Sequence, residues 1–379
     1  MSSKEQYDVA IIGGGLAGLC LAIQCAENGN AVILFEKEDY PFHKVCGEYI
    51  SLESWDFLQR LGLQLDELDL PVIKMLQLSD AYGRLYKFDL PLGGFGISRY
   101  FLDNALYKIA LAKGVEVHTK TKVNEVFFKD DLFTVKTSQQ TIVSKIAAGC
   151  FGKRSNLDIK WNRPFVQMKS NALNNYIGIK YHIRYQHNPD EISLHNFNNG
   201  YCGISKIEDD KSCLCYLTTA QNLRASNNSI EALQKKVLYK NPRLKEIFEK
   251  AEFIYEQPLA ISQVSFTKKS QVEDHVLLLG DAAGLISPLC GNGMSMAMQA
   301  SKIAFAHIRE YLQKKMSRGE MEAQFTYKWQ KEFSKRLWVG RVVQRFFGAD
   351  QSTSLFIKTM YSVPILSKWV IASTHGKPF

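Results

Sequence analysis

The chain has 379 residues, 46% of them hydrophobic and 22% charged, with a net charge of +9; it has room for two or three lobes, and its composition excludes a disordered chain. Its lysines fall in short clusters such as Lys235-Lys236, Lys268-Lys269 and Lys314-Lys315 with no basic tract among aromatics, which excludes nucleic acid as the expected partner and leaves anionic cofactors, acidic carriers or an acidic membrane surface. Eight cysteines without zinc spacing and a polar N-terminus without a signal peptide point to the reducing cytoplasm, and the longest apolar run, Leu355 to Ala372, is broken by Lys358, Pro364 and Lys368 before it reaches the length of a transmembrane segment.

Val9 to Gly13 reads as a buried strand. The residues that follow fit G-x-G-x-x-G with Gly13, Gly15 and Gly18 in the glycine places, and apolar residues then recur at helical spacing through Leu16, Leu19, Ala22, Ile23 and Ala26. A second strand, Ala31 to Phe35, ends in Glu36 and Lys37. Gly13 permits a tight turn, Gly15 lets backbone approach a pyrophosphate, and Gly18 lets helix and strand pack closely. The first helical turn, with Leu16 and Ala17, offers N–H groups and a partial positive charge to phosphates. Glu36, 18 residues after Gly18, stands where an acid accepts hydrogen bonds from a ribose. Strand, glycines, helix, strand and acid in register predict a dinucleotide site.

Helix signals follow over 52–61 and 99–113. Val115 to Val117, Val123 to Phe128 and Phe133 to Thr137 alternate like antiparallel strands, with Lys129-Asp130-Asp131 as a turn, and Ile142 to Ala148 reads as another strand. From about 165 to 266 short alternating runs (177–185, 200–204, 212–218) are separated by Asn171, Asn174-Asn175, Asn196 and Asn198-Asn199, with a helix over 229–238. This predicts a mostly antiparallel second lobe. Within it His182, His187 and His195 read as structural, Tyr201 and Tyr216 as packing, and Asp209-Asp210 as a turn. Val276 to Asp281 is apolar on both faces, like a central parallel strand. A helix over 293–312 follows, and residues 320–379 are helical, rich in large apolar and basic side chains.

Gly280-Asp281-Ala282-Ala283-Gly284, followed by Pro288, Gly291, Gly293 and Met294, places an acid at a strand end before a glycine-rich helix start. Together with the first motif it resembles the two FAD fingerprints of the flavoprotein hydroxylase superfamily, which includes aromatic-ring monooxygenases, squalene-epoxidase-type enzymes, flavin halogenases and geranylgeranyl reductases. The resemblance covers roughly residues 6–310. Pro41 to Glu48 is similar to the segment that lines the flavin in the geranylgeranyl reductase and halogenase-like branch, matching at Lys44, Cys46, Gly47 and Glu48. Arg99 looks like the family's arginine near the adenosine and pyrophosphate.

The resemblance implies an α/β fold: a Rossmann-like FAD-binding domain (1–70, 97–160 and 270–315), an antiparallel β-sheet substrate domain (71–96 and 161–269) and a C-terminal helical segment (316–379). It implies FAD, held by Gly13, Gly15, Leu16, Ala17, Gly18, Glu36, Lys37, Lys44, Cys46, Gly47, Arg99, Val123, Gly280, Asp281, Pro288, Gly291, Gly293 and Met294. The family's usual aspartate after the strand ending near 148 is Phe151 here, so the electron donor, NAD(P)H or another, stays open. The W-x-W-x-I-P signature of tryptophan halogenases is absent, which weighs against chlorination. Two chemistries are implied: monooxygenation (hydroxylation or epoxidation) of a hydrophobic or polyketide-like substrate, or reduction of an isoprenoid or polyene-like chain. A non-catalytic flavin-binding module is the reading from another class. No catalytic side chain and no metal ligand are assigned. The second lobe is expected to lack a polar catalytic cluster. A greasy, carrier- or membrane-associated substrate is expected to enter between that lobe and the C-terminal helices of a cytoplasmic protein peripheral to the membrane.

Overall fold

The computed structural model describes residues 6–168, 175–347 and 350–379. In chain order, β1 (Gln6–Ile12), α1 (Leu16–Glu27) and β2 (Val32–Phe35) form the opening unit. β3 (Tyr49–Ser51), α2 (Trp55–Arg60), β4 (Val72–Ser79) and β5 (Leu85–Gly96) follow. α3 (Arg99–Ala112) leads to β6 (Glu116–His118), β7 (Val123–Lys129), β8 (Leu132–Thr137) and β9 (Thr141–Gly149). After α4 (Asn156–Lys160) and α5 (Pro164–Gln167) come β10 (Tyr176–Arg184), β11 (Glu191–Phe197), β12 (Gly200–Lys206) and β13 (Ser212–Thr219). α6 (Ala220–Ala225), α7 (Ile230–Lys236) and α8 (Pro242–Lys250) precede β14 (Glu252–Phe253), β15 (Leu259–Val264), β16 (Val272–Glu273) and β17 (Val276–Leu278). α9 (Gly293–Leu312), α10 (Arg318–Phe346), α11 (Asp350–Ser362) and α12 (Pro364–Thr374) complete the described chain.

The first sheet has the order β16-β17-β9-β1-β2-β6, extended by the β7–β8 hairpin beside β9. β1 runs parallel to β2 and β9, and β17 parallel to β9. These strands are nearly continuous apolar runs because helices cover them: every residue of β2 is buried, and α1 packs on α3 and α9. Val9, Ile11, Leu19, Ile33, Leu277 and Met298 share one core. Two expectations need correction. β6 pairs in parallel with β2 rather than joining an antiparallel ribbon; the ribbon is β7–β8–β9, antiparallel throughout, with Asp130 and Asp131 at φ +51° and +59° turning β7 into β8. β17 is not central but one strand from the edge, with short β16 outside it.

The second sheet has the order β14-β10-β13-β12-β11-β4-β5-β3, with β15 also on β10. It is antiparallel except between β4 and β11. β3 hydrogen-bonds to β5, so this stretch of the opening segment belongs to the second sheet. Asn196 is not a turn residue but a buried member of β11; Asn199 (φ +58°) makes the β11–β12 turn, and Asp209 and Asp210 make the next. Asn171 and Asn174 lie outside the described residues. One face of the sheet packs on α7 and α8 through Ile179, Leu214, Leu233, Leu244 and Phe248. The other faces α11 and α12, enclosing Phe88, Tyr176, Tyr201, Phe266, Ile357 and Met360.

Candidate cofactor site

The loop from β1 to α1 is built by its glycines. Gly13 has φ +106°, and a Cβ there would press into the carbonyl of Cys150, so only glycine fits. Gly15 is different: its Cβ would stand in a cradle, 3.4 Å from Lys44 Nζ and 3.7 Å from Arg99 Nη2. No side chain caps α1, so its first N–H groups lack a capping partner. Gly18 lies where a Cβ would meet the Gly13 carbonyl. Leu16 and Ala17 are buried in the first turn.

Glu36 is buried at the end of β2. Its Oε2 accepts from Gly14 N–H at 2.7 Å and its Oε1 from Glu38 N–H at 3.1 Å. The carboxylate is thereby fixed beside the glycine loop with lone pairs remaining. Lys37 is exposed, its Nζ 3.7 Å from Glu38.

Ser98 caps α3, accepting from Phe101 N–H at 3.1 Å, and so orients Arg99. Arg99 Nε and Nη2 each lie 2.7 Å from the two oxygens of Asp103, and Lys44 Nζ lies 3.1 Å from the same carboxylate. Burial alone would raise the Asp103 carboxyl, but the two cations hold it below its ordinary range. Two cations share one anion, which leaves a surplus positive charge at the start of α1.

The second fingerprint lies opposite. Gly280 and Asp281 follow β17 in a single tight turn, and Pro288 opens another. Gly291, at φ +63°, has the Tyr49 ring 3.0 Å from where its Cβ would be. Gly293 opens α9, whose start has no side-chain cap, and Met294 is buried. A small open cleft lies among Gly280, Asp281, Gly284, Gly293, Met296 and Trp329. Burial raises the Asp281 carboxyl against the pull of Lys269, Arg99 and Lys153. Lys269 Nζ donates to the carbonyls of Lys153 and Asp281 at 2.8 and 2.7 Å. Burial pushes both Lys153 and Lys269 down to about 8.

Cys46 and Gly47 sit on the segment between these halves. Burial raises the Cys46 thiol. Val123 opens β7, buried, its carbonyl accepting from Asn156 Nδ2 at 3.3 Å. Phe151, in the family's aspartate place, faces Trp161 with ring centroids 6.2 Å apart, so this position supplies packing and no carboxylate.

The second lobe carries a buried polar cluster of a structural kind. Lys180 and His182, on β10, reach Glu48: Lys180 Nζ donates to Oε1, and His182 Nε2 lies 2.7 Å from Oε2. Arg99 N–H also donates to Glu48 Oε1 at 2.8 Å. All three side chains are almost fully buried. Burial would raise the Glu48 carboxyl, yet Lys180 and His182 hold it below its ordinary value. The segment's carbonyls are tied too, with Lys180 on Lys44 O at 3.1 Å and Cys213 Sγ on Cys46 O at 3.2 Å. Glu48, His182 and Cys213 bring donor atoms within 4.8 Å of one another, but the Lys180 ammonium already supplies the cation Glu48 needs. The cluster therefore fixes segment 44–48, held at Glu48 in a left-handed conformation of φ +57°. No local spacing could have revealed partners more than 130 residues apart.

Comparison with known proteins gives three kinds of likeness. A family model described as "FAD binding domain" matches residues 6–321. The chain is 23% identical to Conditioned medium factor receptor 1 of Dictyostelium discoideum, over 98% of this chain and 77% of that protein. It is 24% identical to a 1H-pyrrole-2-carbonyl-peptidyl-carrier-protein brominase of Pseudoalteromonas luteoviolacea, over 79% and 76%. It is 22% identical to a digeranylgeranylglycerophospholipid reductase of Methanococcus vannielii, over 88% and 85%. Among solved structures, a flavin-dependent brominase superposes with TM-score 0.76 at 19% identity, covering 98% of this chain and 93% of that one. A flavin-dependent halogenase superposes with TM-score 0.78 at 18% identity, covering 98% and 71%. These superpositions establish the Rossmann-like flavoprotein fold.

Proposed function

We propose a monooxygenase of a hydrophobic or polyketide-like substrate, from the premise that the chain belongs to the FAD binding domain family. It is an FAD-dependent oxidoreductase. The uncapped start of α1, the Gly15 cradle and the surplus cation beside it fit the group's pyrophosphate. When bound, FAD supplies the redox step.

The chain's own residues have these roles on our reading. Gly13, Gly15, Leu16, Ala17 and Gly18 present backbone to the pyrophosphate, with Lys44 and Arg99 above. Glu36 accepts from the ribose, with Lys37 and Val123 toward the adenosine side. Cys46 and Gly47, with Gly280, Asp281, Pro288, Gly291, Gly293 and Met294, would hold the flavin end of the cofactor. The chain divides into the FAD-binding parts 1–70, 97–160 and 270–315, the substrate parts 71–96 and 161–269, and the helical 316–379, in a cytoplasmic protein.

Tyr49 carries the substrate reading. Its ring touches the Gly291 side of the cofactor cleft and also belongs to the apolar interior beneath α11 and α12. Its hydroxyl is buried without a hydrogen-bond partner, as if awaiting a ligand. Phe88, Tyr176, Tyr201 and Phe266 line that interior and exclude water. A greasy substrate there gains about 25 cal/mol for each Å² of apolar surface removed from water. The Lys44–Glu48 segment favours the reductase and halogenase-like branch, within which reduction of an isoprenoid or polyene-like chain is the second reading.

The two separate in one experiment. FAD-loaded protein is reduced and mixed with isotopically labelled O₂, bromide, an aromatic polyketide and a geranylgeranyl lipid. Labelled oxygen in the product is the expected result. A saturated, unlabelled chain or a brominated product overturns it. Bound FAD with no turnover of any substrate leaves only the binding-module reading.

A further inference from the structure

Among the described residues no single helix is long and apolar enough to cross a membrane. α11 and α12 instead meet at a bend of 106°. Their inner faces are spent on the apolar interior, through Ile357, Met360, Val370 and Ile371. Their outer faces carry a second apolar surface turned to solvent. Ile365, just past the bend, is 81% exposed, Leu355 67% and Trp369 48%, with Tyr361 and Val363 also exposed. α10 adds exposed Trp338 and Phe346.

The charge around this surface is one-sided. From Phe333 to Phe379 the sequence has seven Lys and Arg and one carboxylate, Asp350. Arg336 is buried against Glu53, while Lys335, Arg345, Lys358 and Lys368 are exposed. Lys335 lies 6.0 Å from the centre of the Trp369 ring.

A protruding apolar bend flanked by Trp, Tyr and unpaired lysines has the chemistry of an interfacial anchor. The apolar tip enters the acyl boundary, the aromatic rings sit among headgroups, and the cations meet lipid phosphates. An acidic carrier protein would engage the cations but gives no reason for the exposed Val363–Ile365 tip.

We propose that the α11–α12 bend docks this protein on an anionic bilayer, lying in the interface rather than spanning it. The docking stands whichever reaction the flavin performs. That it would set the roof of the substrate interior against the bilayer rests on the reading above.

Full-length, FAD-loaded protein is sedimented with phosphatidylcholine vesicles and with vesicles containing about one-third phosphatidylglycerol. The expected result is partition onto the anionic vesicles, weakened by salt, with tryptophan emission moving to shorter wavelength. Ile365→Glu should lose about tenfold or more of that partition by placing a charge in the acyl boundary. Lys358→Glu and Lys368→Glu should each cost about fivefold, and only on anionic vesicles. FAD content and the rate of flavin reduction should not change in Ile365→Glu, which separates docking from the reaction. Wild-type protein left in the supernatant with both vesicle types overturns the proposal. So does equal partition of wild type and Ile365→Glu, or binding to an acidic carrier protein but to neither vesicle.

Discussion

Lys44 and Glu48 stand four residues apart on one segment, yet they enter two opposite kinds of ionic cluster. Around Asp103 two cations share a single carboxylate, Lys44 is part-exposed, and the uncapped start of α1 lies beside them. Around Glu48 the carboxylate is fully buried, takes one ammonium and one imidazole, and accepts a backbone N–H as well. The first cluster has charge left over beside an uncapped helix start; the second is closed. Surplus charge beside open N–H groups marks a place that a ligand completes. A balanced, buried cluster marks architecture, here the clamp that holds segment 44–48 in register.

The largest effect should come from breaking the closed cluster. Lys180→Met leaves Glu48 buried without its ammonium, and removing one partner of such a pair costs about 3–5 kcal/mol. Denaturant unfolding should show that loss, together with lower FAD content as segment 44–48 shifts. A change under about 1 kcal/mol, the range of exposed pairs, would mean the cluster is not a clamp.

Gly15→Val tests the open cluster. Its Cβ position meets nothing closer than Lys44 Nζ at 3.4 Å, so the apo fold should survive. The branched side chain then fills the space taken by the pyrophosphate, and overpacking of about 3 kcal/mol corresponds to roughly a hundredfold weaker FAD binding. Unaltered FAD content in the purified variant would place the pyrophosphate elsewhere. Glu36→Ala should follow, with loss of a charge-assisted hydrogen bond of about 1.5–3 kcal/mol weakening FAD about 10- to 150-fold in titration of apo-protein. Affinity equal to wild type would remove Glu36 from the site.

The open cluster was more legible in the sequence than the closed one, for a physical reason. Gly13, Gly15, Gly18 and Glu36 act through backbone geometry over a short stretch, and Gly293 opens α9 at the residue its glycine pattern predicts. The closed cluster depends on Glu48 meeting Lys180 and His182 across the fold, which no local period encodes. β11 was missed for the same cause. It buries polar side chains on both faces: Ser193 donates to Glu191 at 2.8 Å and His195 meets Ser79 at 3.0 Å on one, and Asn196 on the other donates to the Ser79 carbonyl at 2.8 Å. A strand whose interior is satisfied by distant hydrogen bonds looks, residue by residue, like a turn. β17 looks central for a related reason: Leu277 and Leu278 are fully buried, although only the two-residue β16 lies beyond it.

The smallest effect, and the sharpest for the comparison, is on pH. Lys153 and Lys269 both lie beside Asp281, and burial brings them from the ordinary lysine value of 10.5 to about 8. Between these values the unfolded chain holds protons that the folded apo-protein has released. Apo stability should therefore rise with pH across that window, since stability increases wherever the unfolded state binds more protons. FAD binding should run the other way. Its anionic groups favour protonated lysines, so affinity should fall as pH rises through about 8, by about two- to fivefold per lysine if each is worth 0.3–1 kcal/mol. Lys153→Met should remove part of the affinity slope and leave the rest to Lys269. Calorimetry of apo-protein and FAD titration across the window measure both slopes. If affinity is flat while apo stability rises, these lysines do not face the cofactor, and surplus positive charge is not what completes this site. Slopes of opposite sign are what a cleft built to be filled by an anion requires.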